Sequence, residues 1–131
     1  MDRLDYLILY VSDLDASVAF YRDVVGLAHR FTDAGYAEFA SGETRFALYE
    51  RRRAAWLTAD TVAPGAAGEV VFVVADADAE ARRLDDLGVP VLAGPADRPW
   101  GHRVVHVADP DGFVIEFAQP IPRTRHRRQG R

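Results

Sequence analysis

The chain has 131 residues, 49% hydrophobic and 27% charged, which is the make-up of one folded domain or two very small ones and excludes a disordered chain. It contains no cysteine, so disulfides, thiolate metal sites and a cysteine nucleophile are excluded. The net charge of −4 hides an asymmetry: residues 1–119 hold 11 arginines against 20 acids, a net of −9, while 120–131 (PIPRTRHRRQGR) hold five arginines and no acid. An acidic body argues against a nucleic-acid partner.

No apolar run approaches the ~18 residues of a membrane span, and the start, MDRLD, has no apolar signal core. The expectation is a cytoplasmic protein with no membrane partner. The basic tail reads as a disordered terminus.

In chain order, residues 4–11 alternate and include aromatic and β-branched side chains, which predicts a strand. Asp13 or Asp15 can cap a helix, because a short carboxylate accepts from the free N–H groups of a first turn. Leu14, Val18, Tyr21 and Val25 recur at helical spacing. Gly26 ends that helix, since it takes positive φ without a Cβ clash. Strands are predicted near 28–33, 35–41 and 44–51. An Ala/Pro/Gly-rich stretch around 58–68 reads as a linker. Then come a strand at 69–75, a helix at 77–87, and strands near 89–93, 102–107 and 113–118. Asp109-Pro110-Asp111-Gly112 is a strong turn.

The chain repeats itself. LYVSDLDA at 9–16 matches FVVADADA at 72–79, and each copy leads into a helix that stops at a glycine, Gly26 or Gly88. The implied organisation is a first βαβββ module (1–53), a linker (54–67), a second βαβββ module (68–119) and the tail (120–131). One helix covers only one face of a four-stranded sheet. Two modules together would curve into a mixed sheet around a central cavity with the helices outside, an α+β fold and a favoured place for a small-molecule site.

VSDLDASVAFYRDVVGL (11–27) resembles the first-module signature of the vicinal oxygen chelate superfamily, which includes glyoxalase I, extradiol dioxygenases, fosfomycin-resistance transferases and bleomycin-binding resistance proteins. WGHRVVHVADPDGFVIE (100–116) resembles the second-module ending. The resemblance spans about residues 4–119. It implies the fold above, but the chemistry of the family varies, so function must come from the site.

Alternation assigns the faces. Leu7, Leu9 and Val11 face the first helix, which turns Tyr6, Ile8 and Tyr10 to the hollow. Val70, Phe72 and Val74 face the second helix, which turns Glu69, Val71 and Val73 to the hollow. His102, Val104 and His106 share one face, as do Val114 and Glu116, and the resemblance implies that the His106 face is the inner one. It also implies four metal slots, which transfer to Tyr6, Ala47, Glu69 and Glu116, with Arg45 or Tyr49 as alternative registers for Ala47. Only Glu116 is the usual residue type. A metal held by protein wants three or more donors, so the standard site reads as broken and no cofactor is expected.

One route back to a metal exists: Glu69, His106 and Glu116 could form a rebuilt site for Fe(II), Mn(II) or Zn(II). Without metal, the same three groups could serve as catalytic acid and base. Glu116 is open to either role, or to that of an inherited carboxylate hydrogen-bonded by Tyr6 or His106. Tyr6, Tyr10, Ala47, Tyr49, Trp100 and His102 are candidate ligand-binding residues, because flat aromatic faces with polar tips suit a planar ligand. Arg45, Arg98 and Arg103 can bind an oxyanion, although a surface ion pair is the expectation for each.

The leading expectation is a homodimeric, metal-independent protein that sequesters a small molecule, of the antibiotic-resistance type. The alternative is a small lyase, isomerase or dioxygenase-like enzyme that uses Glu116 with His106 and Glu69, with or without a divalent metal.

Overall fold

In the computed structural model, which describes Leu4, residues 6–55 and residues 69–122, the chain divides into two units, Met1–Ala66 and Ala67–Arg131. Unit 1 runs β1 (Tyr6–Val11), α1 (Leu14–Ala19) continued by π-helical turns (Phe20–Val25), β2 (Ala28–Asp33), β3 (Tyr36–Ala40) and β4 (Arg45–Glu50), with a 3-10 turn at Arg51–Arg53. Its sheet order is β1-β4-β3-β2. Unit 2 runs β5 (Glu69–Val73), α2 (Ala77–Asp86), β6 (Ala93–Arg98), β7 (His102–Ala108) and β8 (Val114–Pro120), in the order β5-β8-β7-β6. In both sheets the first strand pairs parallel to the last and the other pairs are antiparallel. Each unit is a βαβββ element, and the class is α+β.

The caps follow from the repeated Asp. Asp13 accepts from the Ala16 N–H at 3.1 Å, and Asp76, 63 residues on, accepts from the Ala79 N–H at 3.1 Å. Asp15 lies inside α1 and does not cap it.

One α-helix was expected over the Leu14–Val25 face, and the structure corrects this. From Phe20 the turns widen, and the Tyr21 carbonyl accepts from both the Gly26 and the Leu27 N–H. The α spacing therefore holds through Tyr21, which is fully buried, but fails at Val25, which is only half-buried.

The strand expected at 89–93 is also displaced, to Ala93–Arg98. Val89 is tied back to the helix, its N–H donating to the Leu84 carbonyl, and Pro90 has no N–H to give a ladder. The strand that does form carries Gly94 and Pro95. It can do so because it lies at the sheet edge, with a register shift between Ala93 and Ala96.

Each sheet buries one face on its helix. In unit 1, Leu9, Val11, Phe39, Phe46 and Leu48 close over Leu14, Val18 and Tyr21. The Tyr21 ring lies 4.8 Å from Phe46 and 6.2 Å from Phe39, centre to centre. In unit 2, Val105, Val107, Ile115 and Phe117 are buried with Leu84 of α2. Arg103, on the same face of β7, is held by Asp78 of α2 and by Asp97, so it is a structural ion pair, as expected.

Of the linker placed at 54–67 only Ala54 and Ala55 are described; the rest, with Trp56, lies outside the described residues. The tail was placed from residue 120, but β8 continues to Pro120 opposite His102, and the Ile121 N–H donates to the Gly101 carbonyl at 2.9 Å. Residues 123–131, with His126, lie outside the described residues.

Candidate functional site

Strand neighbours in register share a face, so the pairing places the side chains. In unit 2, β8 brings Glu116 opposite His106 of β7 and Val71 of β5, and β5 brings Glu69 opposite Val114. The three titratable groups meet on the face turned away from α2. His106 Nε2 lies 2.8 Å from Glu116 Oε1 and 3.7 Å from Glu69 Oε2. Glu116 is buried, at 5% exposure, while the Glu69 side chain is 44% exposed.

Desolvation, a hydrogen bond with Glu116 and the Glu116 charge all raise the Glu69 carboxyl above the usual carboxylate range, and His106 opposes them. His106 Nδ1 is buried with no hydrogen-bond partner among the described residues.

The donor set fits a divalent ion. Two carboxylates and an imidazole offer atoms that all lie within 4.8 Å of one another. Donors bound to one ion at about 2.0–2.2 Å stand roughly 3–3.5 Å apart, and the observed 2.8 and 3.7 Å bracket that span. Among the described residues none orients His106 through Nδ1.

In unit 1 the equivalent face is different. Ala47 pairs with Ile8 of β1 and Glu38 of β3, just as Glu116 pairs with Val71 and His106. Ala47 therefore takes the place of Glu116, and the alternative registers at Arg45 and Tyr49 fall two residues to either side. Around it, Tyr6 sits beside Arg45, Tyr10 beside Tyr49, and Tyr49 beside Tyr36. Ile8, Tyr10, Tyr36 and Tyr49 line an apolar cavity of about 210 Å³.

A polar network borders this aromatic patch. The Tyr36 hydroxyl donates to Glu38 Oε1 at 2.7 Å, and Arg30 Nε and Arg45 Nε lie 3.2 and 3.9 Å from Glu38 Oε2. Arg45 also lies over the Tyr6 ring, 5.1 Å from its centre. Burial, the bond to Glu38 and the Glu38 charge push the Tyr36 phenol up to about 12, so it remains a neutral donor.

The structure thus brings Glu69, His106 and Glu116 together in unit 2, and Tyr6, Tyr10, Ala47 and Tyr49 onto one face of unit 1. It does not bring His102 or Trp100 to the unit 2 cluster. His102 shares the His106 face but lies four residues away on β7, about 13 Å along the strand. Trp100 lies in the turn before β7, 51% exposed.

Sequence reasoning missed Arg30 and Glu38, and placed Tyr36 only as an aromatic near the edge of the hollow. The available signal was Glu38 itself, a charge in the middle of the strand YAEFA, where it needs a partner to be buried.

Residues 3–117 match the Glyoxalase/Bleomycin resistance protein/Dioxygenase superfamily, and the chain belongs to it. Its relatives fall on both sides of the division between binding and catalysis. A bleomycin resistance protein of Geobacillus stearothermophilus is 28% identical over 86% of this chain and 93% of its own. TnmS3, an antibiotic binding protein from Streptomyces sp. CB03234, is 29% identical with a TM-score of 0.74, over 92% of this chain and 97% of its own. A lactoylglutathione lyase from Agrobacterium tumefaciens is 28% identical with a TM-score of 0.70, over 91% and 94%.

Proposed function

We propose that this protein binds a planar or aromatic small molecule and sequesters it without turnover, with no metal required. The observation that carries this reading is the unit 1 face. Ile8 and three tyrosines line one apolar cavity, and the Tyr36 phenol is tied to Glu38 at its border. Such a face offers flat apolar contact at low entropic cost with a few fixed polar groups. The relatives named a bleomycin resistance protein and an antibiotic binding protein support a small-molecule ligand. In the two unit 1 metal slots stand Tyr6 and Ala47, neither an ordinary ligand. The reading includes a homodimer, the commonest closed assembly.

The test is fluorescence titration with bleomycin and a panel of planar polycyclic antibiotics, followed by mass spectrometry of the recovered compound. Saturable binding is expected, weakened about tenfold or more in Tyr49→Ala, with the compound returned unchanged. Chemical conversion of the bound compound would overturn sequestration.

One observation favours a second reading: Glu69, His106 and Glu116 within 4.8 Å of one another. These residues would hold a divalent ion, which when bound supplies Lewis-acid polarisation of a substrate oxygen. Without it, the raised Glu69 carboxyl can hold a proton near its Glu116 and His106 neighbours, the arrangement an acid–base isomerase or dehydratase needs. Elemental analysis tests the metal form of this reading, and conversion of a bound compound that is lost in Glu116→Gln tests the metal-free form. A stoichiometric metal that is lost in Glu116→Gln would favour the enzyme.

A further inference from the structure

The polar border of the unit 1 cavity has a charge of its own. Arg30 and Arg45 both direct Nε at the same oxygen of one buried carboxylate, Glu38 Oε2. The other oxygen is taken by the Tyr36 hydroxyl. Both arginine side chains are about half exposed, at 57% and 52%. They wall a second cavity of about 270 Å³, together with Ser41, Glu43 and Thr44 at the β3–β4 turn. The Thr44 hydroxyl is spent on the Leu4 carbonyl. Glu43 lines the same cavity from an exposed position and is itself partnered.

The inner part of this patch therefore sets two guanidiniums against one carboxylate. Each guanidinium makes its nearest approach to Glu38 through Nε, and a guanidinium carries five N–H donors in a fork that matches a planar oxyanion. The single surplus positive charge matches a monoanion better than a phosphate monoester, which carries close to two charges. Arg45 precedes Ala47 by two residues and Tyr49 by four, so the charge lies about 7–13 Å along the strand from the aromatic patch. That separation suits an acid group on a body of two or three fused rings.

We infer that the ligand is an aromatic monoacid, a carboxylate or sulfonate, whose oxyanion is received by Arg30 and Arg45 while its rings lie on Tyr36 and Tyr49. This rests on the small-molecule-binding reading and gives its ligand class. Glu38 is a positioning residue: it holds both arginines and balances one of their charges.

Two fluorescent probes that differ only in the acid group test this, 8-anilinonaphthalene-1-sulfonate and neutral N-phenyl-1-naphthylamine. The readout is the ratio of their affinities in each variant, so their different hydrophobicity cancels. Arg30→Gln and Arg45→Gln should each weaken the sulfonate about five- to tenfold and leave the neutral probe within about twofold. Glu38→Gln should act in the opposite direction and tighten the sulfonate, an effect that mere disruption of the strand would not produce. Circular dichroism and Tm confirm folding of each variant. If the arginine variants weaken both probes alike, or neither, the anion site is refuted while the aromatic cavity stands. If neither probe binds the wild type, the inference and the binding reading both fall.

Discussion

The unit 2 cluster makes a quantitative prediction about stability that is independent of any ligand. His106→Ala removes a hydrogen bond to the buried Glu116 carboxylate, a kind of bond worth about 1.5–3 kcal/mol. It also leaves that carboxylate beside Glu69 with no imidazole between them, and a buried charge without its partner is a further penalty. The expected total is about 3 kcal/mol. Glu116→Gln alone should cost about 1 kcal/mol or less, because the amide oxygen still accepts from His106 and the repulsion with Glu69 disappears. In the double variant no unpaired carboxylate remains at position 116. The loss in the double variant should therefore fall short of the sum of the two single losses by about 1–2 kcal/mol. Urea unfolding at pH 7, with unchanged m-values, measures all three. Each kcal/mol also appears as a Tm shift of about 3–6 °C in a chain of this size. Losses that add to within about 0.5 kcal/mol would refute the coupling, and with it the cluster as one interacting unit.

Other consequences are more local. The Glu69 carboxyl is raised in the folded state, so its favourable contribution is full below the ordinary value of 4.5 and is lost as pH rises through the folded value. Glu69→Gln should accordingly melt with the wild type below about pH 4.5 and above it at pH 7, and an equal difference at both would refute the sign. Asp76→Ala removes the α2 cap and should cost about 1 kcal/mol in urea melts. Gly94→Ala sets a Cβ against the Val104 carbonyl at φ +88°, so a loss of at least about 2 kcal/mol is expected, with edge-strand amide exchange rising first.

Much of the fold was legible because its signals are local. Alternation in β1 and β5 marks the helix-facing residues without reference to any partner strand, and the repeat at 9–16 and 72–79 marks two equivalent units. The capping aspartates announce themselves in the same copies. Two elements were misread where local pattern and tertiary demand conflict. Val89-Pro90-Val91-Leu92 has the composition of a strand, yet Val89 is tied to the end of α2. The glycine- and proline-bearing segment that pairs instead has poor strand propensity, and its place at the sheet edge makes that tolerable. The π-helical turns after Ala19 carry Tyr21, whose ring packs against Phe39 and Phe46 on strands later in the chain.

For the site the division is similar. The family pattern, with strand alternation, placed His106 and Glu116 on one face, and the register of β7 against β8 makes them neighbours. The sequence was enough to specify two βαβββ units and their buried faces, which follow from periodicity and a local repeat, while the Glu–His–Glu candidate came from what the family resemblance implies. Only the tertiary structure decided for Ala47 over the alternative registers at Arg45 and Tyr49, and brought Arg30, Arg45 and Tyr36 together on Glu38. Those partners come from three different strands, and β2 joins β3 through an irregularity between His29 and Phe31. A register shift changes which side chains meet without leaving any mark in composition or spacing.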